Sequence, residues 1–206
     1  MFFCLVQFYS IICSLLKANK RCSFFPAEAK TEKHISLLIK TSTNIMTEIY
    51  SNLFVGDNRS CFYSEKSGWV VVHACKIPCH QKAVGYTGSL SPSHPYYLIY
   101  EKAGHLFLNI IDPPCPMFPP QLFTKSLDFI DNHIKERKVL VHCNNGLSRA
   151  PSIALLFLAK RIGKINNDSF KQATIDFKKL YPYYQPGRGI AIYLHQNWRI
   201  FDKKMP

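Results

Sequence analysis

Cys143 closes a short apolar run, "KVLVHC", and Arg149 follows it six residues later at the head of a long apolar stretch, "APSIALLFLAKRIG". Between them lies "NNGLS", a loop of the length that joins a strand to a helix. Such a loop can turn its successive N–H groups inward and, with the helix N-terminus, form an anion cradle. Arg149 adds a planar fork able to hold two phosphoryl oxygens at once. Gly146 permits backbone angles that other residues resist. A thiol beneath such a cradle is favoured as thiolate, the nucleophilic form. Nucleophile and phosphate site therefore coincide, which is the arrangement phosphoryl transfer to sulfur requires. A cysteine and an arginine at this spacing mean little alone. The preceding strand, His142, Gly146, Ser148 and the following helix give the pattern its specificity.

The elements that must position this loop follow from hydrophobic periodicity. "EIYSNLFVG" reads as a short strand or hairpin with Gly56-Asp57 as its turn. "GWVVVHAC", residues 68–75, is a β-branched run of the kind buried on both faces. Residues 76–95 are loop-like, rich in Pro, Gly and Ser. Residues 96–112 suggest a short helix and then the strand "HLFLNII". The proline-rich "PPCPMFPP" can only be irregular. Apolar residues at 122, 123, 127, 130 and 134 predict a helix over 121–137. The next helix carries Pro151 in its first turn and Gly163 past its end. A further helix is capped by Asp168 or Ser169 and ends before Pro182, and "GIAIYLHQNWRIF" makes the last. Strands alternating with helices imply an α/β domain with a central, largely parallel sheet flanked by helices. Parallel strands ending at Cys75, Asp112 and Cys143 would share one edge of that sheet, where ligands bind in such folds.

"HCNNGLSR" resembles the His-Cys-x2-Gly-x-Ser-Arg signature of dual-specificity protein phosphatases, within the cysteine-dependent protein tyrosine phosphatase superfamily. The resemblance covers about residues 46–200, includes "NLFVGD", "LNIID", "LDFIDNHI" and "SRAPSIALLFL", and looks closest to small bacterial members. It implies a three-layer phosphatase-type domain and a reaction with no cofactor and no metal. Cys143 would attack phosphorus while Arg149 holds the phosphoryl oxygens. Asp112 would protonate the leaving oxygen and then activate water against the phosphocysteine. His142, Asn144, Asn145, Gly146, Leu147 and Ser148 would form the phosphate-binding loop, with His142 orienting it and tuning the thiol. Many members place Ser or Thr directly after the arginine, whereas this chain has Ala150. The implied substrate is phosphorylated protein, at phosphotyrosine and also at phosphoserine or phosphothreonine. Two alternatives stay open: an RNA 5′-phosphatase using the same chemistry, and a catalytically slow phosphate-binding module.

Composition sets the outer bounds. The 206-residue chain is 47% hydrophobic and 19% charged, a balance that folds. Its formal charge of +13 attracts anions in general, phosphoprotein and nucleic acid among them, without choosing between them. Asn144 and Asn145 are neutral loop formers, where lysines would have pointed to a polyanionic headgroup. Eight irregularly spaced cysteines read as reduced thiols in the cytoplasm. Residues 1–16 carry no charge but are short for a membrane span. We expect residues 1–45 to be an N-terminal extension, either an apolar anchor or a non-native upstream segment, and residues 46–206 to be the catalytic domain. Export from the producing cell is a further alternative for its location. In "HACKIPCH", the residues His73, Cys75, Cys79 and His80 could suggest a metal, but strand and loop packing is favoured, since true sites use tighter cysteine pairs. Cys75, Cys79 and Cys115 are candidates to trap an oxidised Cys143. Arg188, in "PYYQPGRGI", and Tyr181, Tyr183 and Tyr184 read as a turn and packing residues.

Overall fold

The computed structural model describes residues 45–202, so the extension expected over residues 1–45 lies, except for Ile45, outside the described residues. A six-stranded sheet is built from β1 (Met46–Tyr50), β2 (Leu53–Gly56), β3 (Trp69–His73), β4 (Ile99–Lys102), β5 (His105–Leu108) and β6 (Lys138–His142), in the order β1-β2-β6-β3-β5-β4. The strands β2, β6, β3 and β5 run parallel, and the outer strands β1 and β4 pair antiparallel with their neighbours. The largely parallel α/β architecture expected from the alternation of elements is therefore present, with antiparallel edges. Among the described residues no helix is long and apolar enough to cross a membrane.

Residues of β3 and β6 are sorted between the two faces by strand alternation. Val70, Val72, Val139 and Val141 join the main hydrophobic core with the helices. Val71 and Leu140 are equally buried but stand outside that core, on the other face. His73 and His142 share that second face and are register partners across the parallel pair. The 3-10 segment Asn58–Glu65 packs against both strands.

The short α1 (Gln81–Val84) is followed by α2 (Gln121–His133), whose predicted stripe of Leu122, Phe123, Leu127 and Ile130 is buried, as is Ile134 just beyond it. The next helix, α3 (Arg149–Phe157), is buried at every position from Ala150 onward, as a helix surrounded by protein should be. It continues to Ile162 and stops at Gly163, whose φ of 68° needs no side chain. Ser169 caps α4 (Phe170–Leu180), its hydroxyl accepting from the Gln172 N–H at 3.2 Å. Finally α5 (Arg188–Gln196) leads into a 3-10 turn at Trp198–Phe201.

Three local expectations need correcting. The β1–β2 hairpin turns at Ser51 and Asn52, with Asn52 at φ 63°, not at Gly56-Asp57. Gly56 instead ends β2 at a place with no room for a side chain, since a Cβ there would lie 2.8 Å from the Ser60 Cβ. The expected loop 76–95 contains the turn Lys76–His80 and α1. The helix expected early in 96–112 is the edge strand β4, joined to β5 through Ala103 (φ 51°) and Gly104 (φ 81°). Two left-handed residues make the tight hairpin, but alanine at the first hides the usual Asn-Gly signal. Because a Cβ strains that conformation, Ala103→Asn should stabilise the domain by about 0.5–1 kcal/mol. Urea unfolding of the two proteins side by side would measure the shift.

Candidate active site

The inner strand β6 ends at His142 and places Cys143 at the C-terminal edge of the sheet, and α3 begins at Arg149, so the loop between them passes from strand to helix within five residues. Cys143 is 2% exposed, and its N–H donates to the Gly56 carbonyl at 3.3 Å. Gly146 adopts φ 69° and lies so close to the end of β2 that a Cβ would come within 3.2 Å of the Gly56 carbonyl. Two glycines, one on each chain segment, therefore let the loop sit against the strand end.

Carbonyls and a hydroxyl of the loop are held from outside. Asn58 N–H donates to the Asn144 carbonyl at 3.3 Å, and Gln185 N–H to the Leu147 carbonyl at 2.9 Å. The Tyr181 hydroxyl donates to the Gly146 carbonyl at 2.9 Å. Burial first, then the proximity of Cys143 and Asp57, pushes the Tyr181 phenol up to about 12, so it stays a donor. Ser148 Oγ accepts from the Gly187 N–H at 2.8 Å. Tyr184, fully buried, shares a hydrogen bond of 2.9 Å with Ser152 inside α3. Thus Tyr184 packs as expected, whereas Tyr181 does more and braces the loop. With these carbonyls turned outward, the N–H groups of residues 144–148 have no acceptor among the described residues. A run of N–H groups so arranged has the form of an anion cradle.

Arg149 leans across this cradle. Its Nη1 donates to the Ile110 carbonyl at 3.2 Å and its Nη2 to Asn144 Oδ1 at 2.6 Å, while Nε is buried without a partner. Asn144 is itself fixed by its Nδ2 donating to the Ile77 carbonyl at 2.9 Å. Asn144 is therefore more than a loop former: it sets the guanidinium plane. No local sequence signal marks that role, because the partner carbonyl belongs to a distant turn.

Asp112 lies beyond β5 and is exposed. Its carboxylate rests against Gly187, where a Cβ would fall 2.8 Å from the Asp112 Cγ. Gly189 is as tightly covered by the backbone of Pro113 and Cys115. The proline-rich loop thus lies on the N-terminus of α5, and Gly187 touches both Asp112 and, through its N–H, Ser148. This brings Asp112 to the rim of the cysteine loop. Arg188, between those glycines, is exposed at the first position of α5.

His142 faces the other way. Its Nε2 is 2.7 Å from His73 Nδ1, and the His73 Nε2 is 3.0 Å from His105 Nδ1. Cys61 Sγ lies 3.6 Å from His73 Nδ1, and Cys79 is the fourth member of the group. A hydrogen bond from Cys79 pulls the Cys61 thiol down, and the same contact pushes Cys79 up. Of the quartet weighed in "HACKIPCH", only His73 and Cys79 meet here. His80 packs as expected, between the Tyr86 hydroxyl at 3.0 Å and the Tyr96 carbonyl at 2.9 Å, and Cys75 is buried beyond the end of β3. Cys61 had no sequence signal of its own.

No family model matches the chain. The dual specificity protein phosphatase YVH1 of Plasmodium falciparum is 32% identical over 114 residues, which cover 52% of this chain but only 18% of that protein. Among solved structures, the human tyrosine phosphatase-like serine/threonine/tyrosine-interacting protein has a TM-score of 0.54 at 21% identity, covering 76% of this chain and 97% of that one. Human DUSP28 has a TM-score of 0.52 at 16% identity, covering 76% and 95%. Motif, relative and fold neighbours agree that this chain is similar to dual-specificity protein phosphatases. These relatives are eukaryotic and do not bear on the expected nearness to small bacterial members.

If Asn144 sets the guanidinium, Asn144→Ala should weaken binding of inorganic phosphate by about 5- to 30-fold, or about 1–2 kcal/mol. Calorimetric titration of both proteins with phosphate would read it.

Proposed function

We propose that residues 46–206 form a cysteine-dependent phosphoprotein phosphatase domain that hydrolyses phosphotyrosine and also phosphoserine or phosphothreonine. One observation carries the reading: among the described residues, the N–H groups of the loop after Cys143 have no acceptor, and the arginine beside them has a buried Nε without a partner. The fold alone would not decide the matter, since one neighbour is named phosphatase-like and an interacting protein. What favours an enzyme here is that Cys143, Arg149 and Asp112 are all present and meet around one loop.

In the first step the Cys143 thiolate attacks phosphorus, and the bond from phosphorus to the leaving oxygen breaks. Asp112 gives that oxygen its proton. Arg149 Nε and the loop N–H groups hold the other phosphoryl oxygens, whose charge they neutralise in the transition state. In the second step the Asp112 carboxylate takes a proton from water, the water oxygen attacks phosphorus, and the S–P bond breaks to return thiolate and phosphate. No step needs a metal. The phosphoryl group is recognised by backbone and arginine, which do not distinguish its bearer, and this supports a dual preference.

Ala150 is fully buried and offers no donor to sulfur. In the first step that leaves the attacking thiolate slightly more basic. In the second, sulfur departs with developing negative charge, and a missing donor slows it.

Cys143→Ser should abolish hydrolysis of phosphopeptides while inorganic phosphate still binds. Asp112→Asn should slow turnover by about 100- to 10,000-fold for a phosphopeptide and far less for an aryl phosphate with a good leaving group. Equal losses on both substrates would assign the acid elsewhere. A panel of phosphopeptides, phosphoinositides and 5′-phosphorylated RNA would test the substrate class, and preference for the RNA would overturn it. For the second step, rapid mixing with an aryl phosphate should show a burst of about one equivalent per active site. Ala150→Ser should shrink that burst and raise the steady rate.

A further inference from the structure

The phosphatase chemistry leaves one cluster unused, the side chains behind the cysteine loop. Cys61 Sγ, His73 Nδ1, Cys79 Sγ and His142 Nε2 all lie within 4.8 Å of one another. They come from four separate places: the 3-10 segment Asn58–Glu65, the end of β3, the turn after β3, and the end of β6. His73, Cys79 and His142 are buried, and Cys61 is half-buried.

We infer that these four side chains form a tetrahedral zinc site that staples the sheet edge beneath the cysteine loop. Two thiolates and two imidazoles are the donor set of structural zinc, and they exclude the oxygen-seeking magnesium and calcium ions. The Cys61–His73 separation of 3.6 Å already suits the edge of a zinc tetrahedron, about 3.5 Å for Zn–S and Zn–N bonds of about 2.3 and 2.0 Å. The two imidazole nitrogens, at 2.7 Å, are closer than the edge of about 3.3 Å they would span around the metal. At present a hydrogen bond joins them; as the rings part by about 0.6 Å for the metal, its proton passes to the opposite nitrogen of the ring that carried it, leaving both imidazoles neutral ligands. His73 has its outer nitrogen 3.0 Å from His105 Nδ1, the orienting contact that metal-bound histidines usually make. Two thiolates balance the dication. Binding releases to solvent the protons the thiols carry, and nothing is oxidised or reduced.

The placement gives the metal a purpose apart from the reaction. Asn58 holds the Asn144 carbonyl, and Ile77 holds the Asn144 side chain that fixes Arg149. Cys61 and Cys79 lie three and two residues from those two anchors, and His142 directly precedes Cys143. Zinc would therefore tie together the three segments that support the loop, while phosphoryl transfer proceeds without it.

The test uses the full chain, expressed with zinc in the medium and purified with a thiol reductant but no chelator. Mass spectrometry of the metal should find about one zinc per chain in the wild type and in Cys143→Ser, and a large loss in Cys61→Ser and Cys79→Ser. Cobalt in place of zinc should give tetrahedral ligand-field bands with thiolate charge transfer. Should the serine variants fail to fold, wild type stripped by chelator and titrated with zinc serves instead. Its thermal midpoint should rise, and alkylation mapping should show Cys61 and Cys79 becoming shielded while Cys143 stays reactive. The inference is overturned if the stripped protein takes up no zinc and both thiols remain reactive. Zinc that disappears with Cys143→Ser, or a Cys61–Cys79 disulfide formed under reductant, overturns it too. None of these measurements depends on phosphatase activity.

Discussion

Amide groups are costly to leave without acceptors, and among the described residues the cysteine loop leaves several in a row without one. The rest of the structure around it compensates for that exposure. The loop cannot relax by turning its N–H groups onto its own carbonyls, because those carbonyls are held elsewhere by Asn58, Tyr181 and Gln185. Nor can it collapse toward β2, where Gly146 and Gly56 are already in contact. A ligand with several oxygens is the partner that satisfies such a surface, so the phosphoryl preference proposed above would follow from how the backbone is restrained.

The restraints come in two layers. Near the ligand, Arg149 is aimed by Asn144 and by the Ile110 carbonyl, which belongs to the segment leading to Asp112. Further out, Gly187 and Gly189 let the proline-rich loop lie directly on α5, and the Ser148–Gly187 bond joins that helix back to the cysteine loop. Arg149, Asp112 and Cys143 thus share supports. A side chain added at either glycine would move Asp112 although neither glycine touches phosphate.

How far the sequence could be read depended on whether the interacting residues are neighbours in the chain. The cysteine loop was legible because strand, turn, arginine and helix are contiguous, and the buried α3 announced itself by an unbroken apolar run. Asp112 was singled out through family resemblance and an expected place at a strand end, although β5 stops at Leu108. The Asn144–Ile77 and Tyr181–Gly146 bonds join segments 67 and 35 residues apart, and neither end has a distinctive local pattern. The histidine–cysteine group was half seen: His73 and Cys79 stood in a suggestive string, but their companions Cys61 and His142 become neighbours only when the sheet forms. The β4–β5 hairpin was missed for a different reason, an alanine holding a backbone angle that asparagine or glycine normally holds.

The strand β6 separates two chemistries that differ by a single step along the chain. Its valines face the helical core, its last histidine faces the group with Cys61 and His73, and the next residue is Cys143, the proposed nucleophile. In a strand, displacement by one residue exchanges the two faces. A chain that paired β6 one position out of step would bring the thiol of Cys143 toward the other histidine and cysteines, and would push an imidazole into an apolar interior. Such a molecule would lose its core and its phosphate loop together. Correct alignment of one central strand is therefore checked twice, by greasy side chains above and by nitrogen and sulfur below, and a half-folded form with a working thiolate has no place in this architecture.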